Sequence, residues 1–182
     1  MCLTKGLTSV MNYISGTTLY MSDIEPFSFS TRDIESQNIS VIISLMEEYK
    51  KPQFLRESID PKIYPWISHY YFNIKNEFDF PIEKYFKDIY QILIRFIQRG
   101  VNILIHCRTG LSITPTILIA FFIRSVFYSP EYIIHNYIYF IPKTKNNWTE
   151  SFLDFLKTKN PEIQLSYNFL QKLYIYENSF LE

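Results

Sequence analysis

The sequence predicts an α/β fold in a single domain that covers residues 1–182. Two observations support this prediction. Short runs of β-branched and aromatic residues alternate along the chain with segments whose apolar residues recur at helical spacing. No Gly/Ser linker, repeat or low-complexity tract interrupts that alternation. A length of 182 residues is usual for one domain, and a hydrophobic content of 47% is enough for a sizeable core.

The first half of the chain carries three predicted strands and two predicted helices. The strands are expected at residues 17–21, 39–45 and 69–74. Residues 30–35, Ser-Thr-Arg-Asp-Ile-Glu, are typical of a short capped helix between the first two strands. A longer helix is expected before Gly100, which ends it. Its apolar face consists of Ile82, Tyr85, Phe86, Ile89, Leu93, Phe96 and Ile97.

The second half begins with an apolar strand at residues 101–105 and an apolar helix that runs through Ile123. Two more helices are predicted, one from Ser129-Pro130-Glu131 to near Pro142, and one after Asn160-Pro161-Glu162 that runs through Tyr176. Between these two helices lies a segment rich in apolar residues, at 143–159. We expect a helical insertion that packs within the monomer. Exchange of this segment between two copies in a homodimer is the alternative.

A cysteine-containing loop joins the strand at 101–105 to the apolar helix. Residues 106–116 read His-Cys-Arg-Thr-Gly-Leu-Ser-Ile-Thr-Pro-Thr. Backbone N–H groups and a helix N-terminus that point at a cysteine favour its thiolate, and the same groups can hold a phosphate dianion. Gly110 lets the backbone curl without a Cβ clash, and Pro115 suits the first helical turn.

This strand, loop and helix resemble the phosphate-binding loop of the cysteine-dependent protein phosphatases, and most of all the dual-specificity branch. Members of that branch read His-Cys-x-x-Gly-x-Ser-Arg-Ser before an apolar helix. The resemblance implies a central mixed sheet of about four to five strands flanked by helices. It also implies a phosphate loop formed by His106, Cys107, Arg108, Thr109, Gly110, Leu111, Ser112 and Ile113.

The resemblance further implies roles for single residues in this loop. Cys107 stands at the position of the nucleophile, and Thr114 matches the hydroxyl that assists the departing thiolate. His106 is expected to orient the loop through hydrogen bonds. Ile113 stands where the family has the arginine that grips two phosphoryl oxygens, a bidentate contact that only a guanidinium supplies. Arg108 is a poor substitute, because this position normally points away from the loop centre in the family.

The general acid of the family also has a counterpart that departs from the pattern. An ungapped count back from the helix at Ile82 places Asn76 at the position of the aspartate that protonates the leaving oxygen. An amide cannot supply that proton at neutral pH. Glu77 and Asp79 lie close by and could substitute after a shift of the loop.

The cysteine and the histidines also have purely structural interpretations. A buried cysteine after a strand is often a small apolar core residue, so the hypothesis depends on the whole motif. His69 and His135 have no partner at metal-ligand spacing, so we expect structural histidines and no metal site. Nothing in the sequence indicates a cofactor.

Composition excludes several other classes of function. The formal net charge is zero, so no basic field for nucleic acid or an anionic membrane is expected. Cys2 and Cys107 are the only cysteines, too few for a secreted disulfide framework, and no apolar run is long enough to span a bilayer. A soluble, cytoplasmic protein is expected, in the host cell if it is viral.

The residue bias points to the source of the chain. Ile, Asn, Lys, Phe and Tyr are frequent, while Ala120 is the only alanine, as in AT-rich coding sequences. In this respect the chain looks like a divergent viral member of the phosphatase family, similar to the second type of baculoviral protein tyrosine phosphatase.

Three functional hypotheses follow. The first is a pseudophosphatase that binds or shields a phosphoprotein or regulates a protein partner. The second is a weak protein tyrosine or dual-specificity phosphatase that uses Cys107 as nucleophile through a cysteinyl-phosphate intermediate. The third is a protein-interaction module whose loop does not bind phosphate.

Overall fold

A five-stranded mixed sheet forms the centre of the protein in a computed structural model that describes residues 7–13, 15–23, 31–47, 65–130 and 147–181. The strands are β1 (Thr8–Asn12), β2 (Thr18–Ser22), β3 (Ile39–Leu45), β4 (Ser68–Phe72) and β5 (Asn102–His106). Their order in the sheet is β1-β2-β5-β3-β4. Only the β1–β2 pair is antiparallel, and the other three pairs are parallel. The predicted mixed sheet and its strand number are therefore confirmed.

The edge strand β1 is absent from the sequence-based prediction. It forms a hairpin with β2, closed by hydrogen bonds from the Tyr13 N–H to the Thr17 carbonyl (2.8 Å) and from the Gly16 N–H to the Tyr13 carbonyl (3.0 Å). Two of its five residues, Val10 and Met11, are buried. These adjacent residues do not show the alternation of a half-buried strand, because the pairing register shifts between Ser9 and Met11.

Helices cover both faces of the sheet, but unequally. On the smaller side, α1 (Thr31–Ser36) packs through Ile34 against Tyr20, Ile42 and Leu104. The larger core lies on the other side and includes β-strand residues two positions apart, such as Ile103 and Ile105. Because strand side chains alternate between the two faces, β2, β3, β4 and β5 contribute to both cores, whereas the buried residues of β1 belong to the larger one.

The helix predicted before Gly100 starts as one turn of 3-10 helix at Ile82–Tyr85 and continues as α2 (Phe86–Ile97). Its predicted apolar face is buried, with Tyr85 only partly buried. The α3 helix (Ile113–Tyr128) lies between α2 and the last two helices, and 12 of its residues are buried. A helix that is apolar on all sides belongs in the centre of a core, and α3 occupies that place.

The last two helices are α4 (Trp148–Lys159) and α5 (Tyr167–Asn178). Phe152 and Leu156 of α4 are fully buried in the main core of the same chain. Residues 148–159 therefore form a helix packed within the monomer, the first of the two alternatives considered for this segment. Its status as an insertion and its exchange between copies stay predictions.

The N-terminus of α4 is held by a buried carboxylate. Glu177 of α5 is 3% exposed and accepts hydrogen bonds from the Trp148 N–H (2.7 Å), the Thr149 N–H (3.0 Å) and the Thr149 hydroxyl (2.7 Å). The first N–H groups of a helix have no partner within the helix, and a negative charge there is stabilised by the helix dipole. Glu177 thus ties α5 to the start of α4.

Some predicted features shift or fall outside the described residues. The strand predicted at 69–74 ends at Phe72, because the Ile74 N–H turns back to the Phe72 carbonyl at 2.9 Å. The helix predicted from Ser129 to Pro142 lies largely outside the described residues, as do Cys2, Ser30 and His135. Among the helices that are described, none combines the length and the apolar character that a membrane crossing needs.

Replacing Glu177 with alanine is expected to destabilise the fold by about 3 kcal/mol or more, since a charged acceptor with several buried donors is lost. Glu177→Gln keeps an oxygen acceptor and should cost less. Glu162→Ala, at an exposed turn, is the control and should change stability by less than about 0.5 kcal/mol. Urea unfolding followed by circular dichroism measures all three. Equal effects for Glu177→Ala and Glu162→Ala would contradict the role assigned to Glu177.

Candidate active site

The cysteine loop leaves the sheet at its centre. Strand β5 lies between β2 and β3, runs parallel to both, and ends at His106. Cys107 is the first residue beyond the strand, and α3 begins six residues later at Ile113. In sheets of this kind, ligands bind beyond the carboxyl ends of parallel strands. The loop is therefore placed where an α/β protein usually has its site.

The backbone of the loop curls around the cysteine sulfur. Cys107 is 2% exposed, and its Sγ accepts a hydrogen bond from the Gly110 N–H at 3.2 Å. A backbone N–H at this position can also donate to an anion bound beside the loop. One N–H of the loop therefore points at the sulfur, and the phosphate-binding role of the loop stays a prediction.

Gly110 is required at its position for two reasons. Its φ of +70° lies in the left-handed region, which strains any residue with a Cβ. In addition, a Cβ would lie 3.1 Å from the Asp23 nitrogen and 3.2 Å from the Ser22 carbonyl oxygen, both backbone atoms. The end of β2 therefore presses directly on the cysteine loop.

A segment that the sequence analysis did not single out braces the other side of the loop. The Gln164 N–H donates to the Leu111 carbonyl at 3.0 Å, and the Ser166 N–H donates to the Ser112 hydroxyl oxygen at 3.4 Å. Ser166 also accepts from the Phe169 N–H and so caps α5. Because the donors to the loop are backbone groups some 50 residues away, no pattern of residue types could have revealed them.

His106 lies inside a polar chain that crosses the sheet. Its Nε2 is 2.7 Å from Oγ of Ser44, and the same oxygen is 2.7 Å from Nε2 of His69. The hydrogen bonding expected for His106 is present, the structural role expected for His69 stays a prediction, and Ser44 is a further residue of the site that no sequence pattern indicates. No group of three potential metal ligands occurs within the ranges that the structure describes.

The residues at the start of α3 are apolar or buried. Ile113 is the first residue of the helix, is 7% exposed, and belongs to the main core together with Cys107 and Ile117. Thr114 is fully buried, and its Oγ1 has no hydrogen-bond partner in the described part of the chain. A buried hydroxyl usually has a partner. Thr114 thus keeps an unused donor next to the loop, while Arg108 and Thr109 are exposed.

The candidate acid residues follow β4. Asn76, Glu77 and Asp79 are all exposed in the connection from β4 to the 3-10 turn. Since β4 and β5 are both parallel to β3, this connection leaves the same edge of the sheet as the cysteine loop. Glu77 forms an exposed ion pair with Lys75 at 3.5 Å. The structure thus brings the two predicted segments to one edge, and the roles of single residues stay predictions.

The comparisons with known proteins agree with this geometry. The model of the dual specificity phosphatase catalytic domain matches residues 25–135, more than half of the chain. The chain belongs to the dual-specificity phosphatase family. No curated protein gives a significant sequence match.

Solved structures of the dual-specificity phosphatase type share the fold over almost the whole chain. Human tyrosine phosphatase-like serine/threonine/tyrosine-interacting protein superposes with a TM-score of 0.71 at 14% identity, covering 98% of this chain and 99% of that chain. Human DUSP28 gives 0.68 at 12% identity, with 100% and 98% covered. DUSP15 gives 0.67 at 22% identity, with 95% and 88% covered. At these identities the likeness establishes the dual-specificity phosphatase fold.

Gly110→Ala is expected to destabilise the protein more than Gly16→Ala does. Both glycines have a positive φ, but a Cβ on Gly16 would meet nothing within 4 Å. Gly16→Ala should therefore cost only the backbone strain, about 1 kcal/mol, whereas Gly110→Ala adds crowding against β2 and should cost about 2–4 kcal/mol. Thermal unfolding of the two variants measures the difference. Equal losses would show that β2 does not press on the loop.

Proposed function

We propose that this dual-specificity phosphatase homologue is a catalytically impaired phosphatase, a pseudophosphatase that binds or shields a phosphoprotein or regulates a protein partner. The observation that carries the proposal is Ile113. In the motif His-Cys-x-x-Gly-x-Ser-Arg-Ser, residues 106–114 match at every position except two: Ile113 replaces the arginine, and Thr114 replaces the last serine. Threonine keeps the hydroxyl, but isoleucine has neither a donor nor a charge.

The energetic consequence of Ile113 can be estimated. Each hydrogen bond to a charged group contributes about 1.5–3 kcal/mol, and the missing guanidinium would make two. Loss of both contacts corresponds to a rate lower by about two to four powers of ten. The burial of Ile113 supports the proposal further, since its side chain takes part in the core instead of facing an anion.

The acid side of the site points in the same direction. If Asn76 occupies the position of the general acid, the leaving oxygen has no proton donor there, a loss of about 10²–10⁴-fold. Losses that affect one transition state are not additive, so the two are not multiplied. Arg108 is exposed on the loop and carries a positive charge, but a single flexible cation on the rim does not reproduce the planar fork.

A weakly active phosphatase is the second candidate, because Cys107 keeps the Gly110 N–H on its sulfur. In that reaction the Cys107 sulfur would bond to phosphorus while the ester P–O bond breaks. Glu77 or Asp79 would protonate the leaving oxygen, and water would then hydrolyse the cysteinyl-phosphate. Both carboxylates are exposed at the edge of the sheet from which the cysteine loop also leaves. Their position favours a reaction with a general acid over a reaction without one.

The proposal extends to the source and location of the chain. A free buried thiol at Cys107 suits a reducing compartment, so we assign the protein to the cytoplasm. The AT-rich residue bias supports a viral source, with the host cytoplasm as the working location.

Hydrolysis of an aryl phosphate tests the proposal directly. Wild-type turnover is expected to be undetectable or nearly so, and Ile113→Arg should raise it by about two to four powers of ten, with a further gain from Asn76→Asp. Ile113→Lys supplies charge without the fork and should gain far less. Ile113→Met is the control for loss of the branched side chain, with the fold checked by circular dichroism.

Cys107→Ser decides between the two candidates. If wild-type protein hydrolyses the substrate efficiently and Cys107→Ser abolishes this hydrolysis, the pseudophosphatase proposal is wrong and the protein is an active phosphatase. A trace of activity that survives Cys107→Ser comes from a contaminant or from another site.

Anion binding separates a pseudophosphatase from an interaction module that does not bind phosphate. Isothermal titration with tungstate and with a phosphotyrosine peptide should give weak but measurable binding to wild type, because the loop backbone is retained. Ile113→Arg should bind at least about tenfold more tightly. Absence of binding to wild type, together with binding to Ile113→Arg, would favour the interaction module.

A further inference from the structure

A buried polar chain joins the cysteine loop to an edge strand. Ser44 is fully buried near the end of β3, and its Oγ lies 2.7 Å from Nε2 of His106 on one side and 2.7 Å from Nε2 of His69 on the other. Ser44 pairs with His106 in the sheet register, and His69 pairs with Ile42, two residues before Ser44. All three side chains therefore project from the same face of the sheet.

The number of protons in this chain restricts the two histidines. A serine hydroxyl has one proton and two acceptor lone pairs, and each neutral imidazole has one N–H donor and one acceptor. At 2.7 Å both contacts are hydrogen bonds, so each needs a proton. Ser44 can donate to only one ring, so at least one ring must donate to Ser44 from Nε2. When Ser44 donates to the other ring and both rings are neutral, that other ring carries its proton on Nδ1, and the two histidines have opposite tautomers.

The two rings differ in their surroundings. His106 is 0% exposed, and its Nδ1 is buried too. It directly precedes Cys107 in the sequence. His69 is only partly buried and lies on β4, at the edge of the sheet. The tautomer of a buried histidine is set by the hydrogen bond made at its other nitrogen. At Nε2 of His106 that bond is made with Ser44, and Ser44 in turn contacts His69.

We propose that Ser44 and His69 are positioning residues of the cysteine loop, which together fix the tautomer and the ring orientation of His106. In this arrangement the tautomer of His69 determines which way the Ser44 O–H bond points. That direction in turn determines the tautomer of His106, the residue next to Cys107. The proposal goes beyond phosphatase function, since it concerns the construction of the loop and holds whether or not the loop turns over phosphate.

Imidazole nitrogen spectroscopy tests the coupling. The chain has three histidines, so long-range ¹H–¹⁵N spectra of labelled protein are simple, and His135→Gln assigns the third ring. In wild type at neutral pH, His69 and His106 are expected to show opposite tautomers. His69→Phe should shift the His106 nitrogen signals, because Ser44 contacts both rings. A common tautomer in wild type, or unchanged His106 signals in His69→Phe, would overturn the proposal.

The reactivity of Cys107 provides the second readout, measured as the rate of alkylation by iodoacetamide in a Cys2→Ser background. Ser44→Ala should lower this rate by about two- to tenfold, the effect of one lost hydrogen bond. Ser44→Thr retains a hydroxyl and should restore it. Ser40→Ala, on the same strand, is the control and should have no effect.

These variants also separate positioning from general stability. Circular dichroism identifies any variant that does not fold, and in that case His69→Phe and Ser44→Thr still decide the question. A folded Ser44→Ala with the wild-type alkylation rate and the wild-type His106 tautomer would refute the positioning role. Because neither readout requires hydrolysis, failure here is distinct from failure of the pseudophosphatase proposal.

Discussion

Close packing between the end of β2 and the cysteine loop is the constraint on which the site depends. The loop must curl tightly for the Gly110 N–H to reach the Cys107 sulfur, and the backbone of Ser22 and Asp23 fills the space that a Cβ on Gly110 would need. This contact exists because β5 lies beside β2 in the centre of the sheet. The strand order, Gly110 and the loop conformation therefore depend on one another. A change in any of them would displace the sulfur of Cys107.

The scaffold and the charge of the site have separate physical origins. The loop conformation comes from backbone contacts with β2, with residues 164–166 and with the start of α3, none of which needs an arginine. A positive charge would come only from a side chain. A loop of this geometry therefore does not require an arginine, and the structure combines a Cys107 that accepts the Gly110 N–H with a buried Ile113 at the start of α3.

The sequence predicts the local features of this protein better than the distant ones. The apolar period of α2 and the loop between β5 and α3 are recognisable because their determinants lie within a few residues. The sequence does not predict β1, because the register shift in this strand breaks the alternation of buried and exposed residues. It also does not separate the 3-10 turn from α2, because the apolar residues of the turn continue the helical spacing of the α2 apolar face. Ser44 and Gln164 were missed because their contacts with the loop join residues more than 50 positions apart.

Ile113 also changes the balance between stability and binding. A loop that aims N–H groups and a guanidinium at one point is strained by like charges and dipoles until an anion enters, as is common for active sites. Isoleucine carries no charge, and its apolar side chain belongs to the main core, where burial of such a side chain contributes about 1.5–3 kcal/mol. Under the proposed replacement, the empty loop is expected to be more stable than an arginine-containing loop. Weak anion binding and a stable empty state are thus the two consequences expected of the proposed replacement, and both would suit a protein that binds a partner more than one that turns over a substrate.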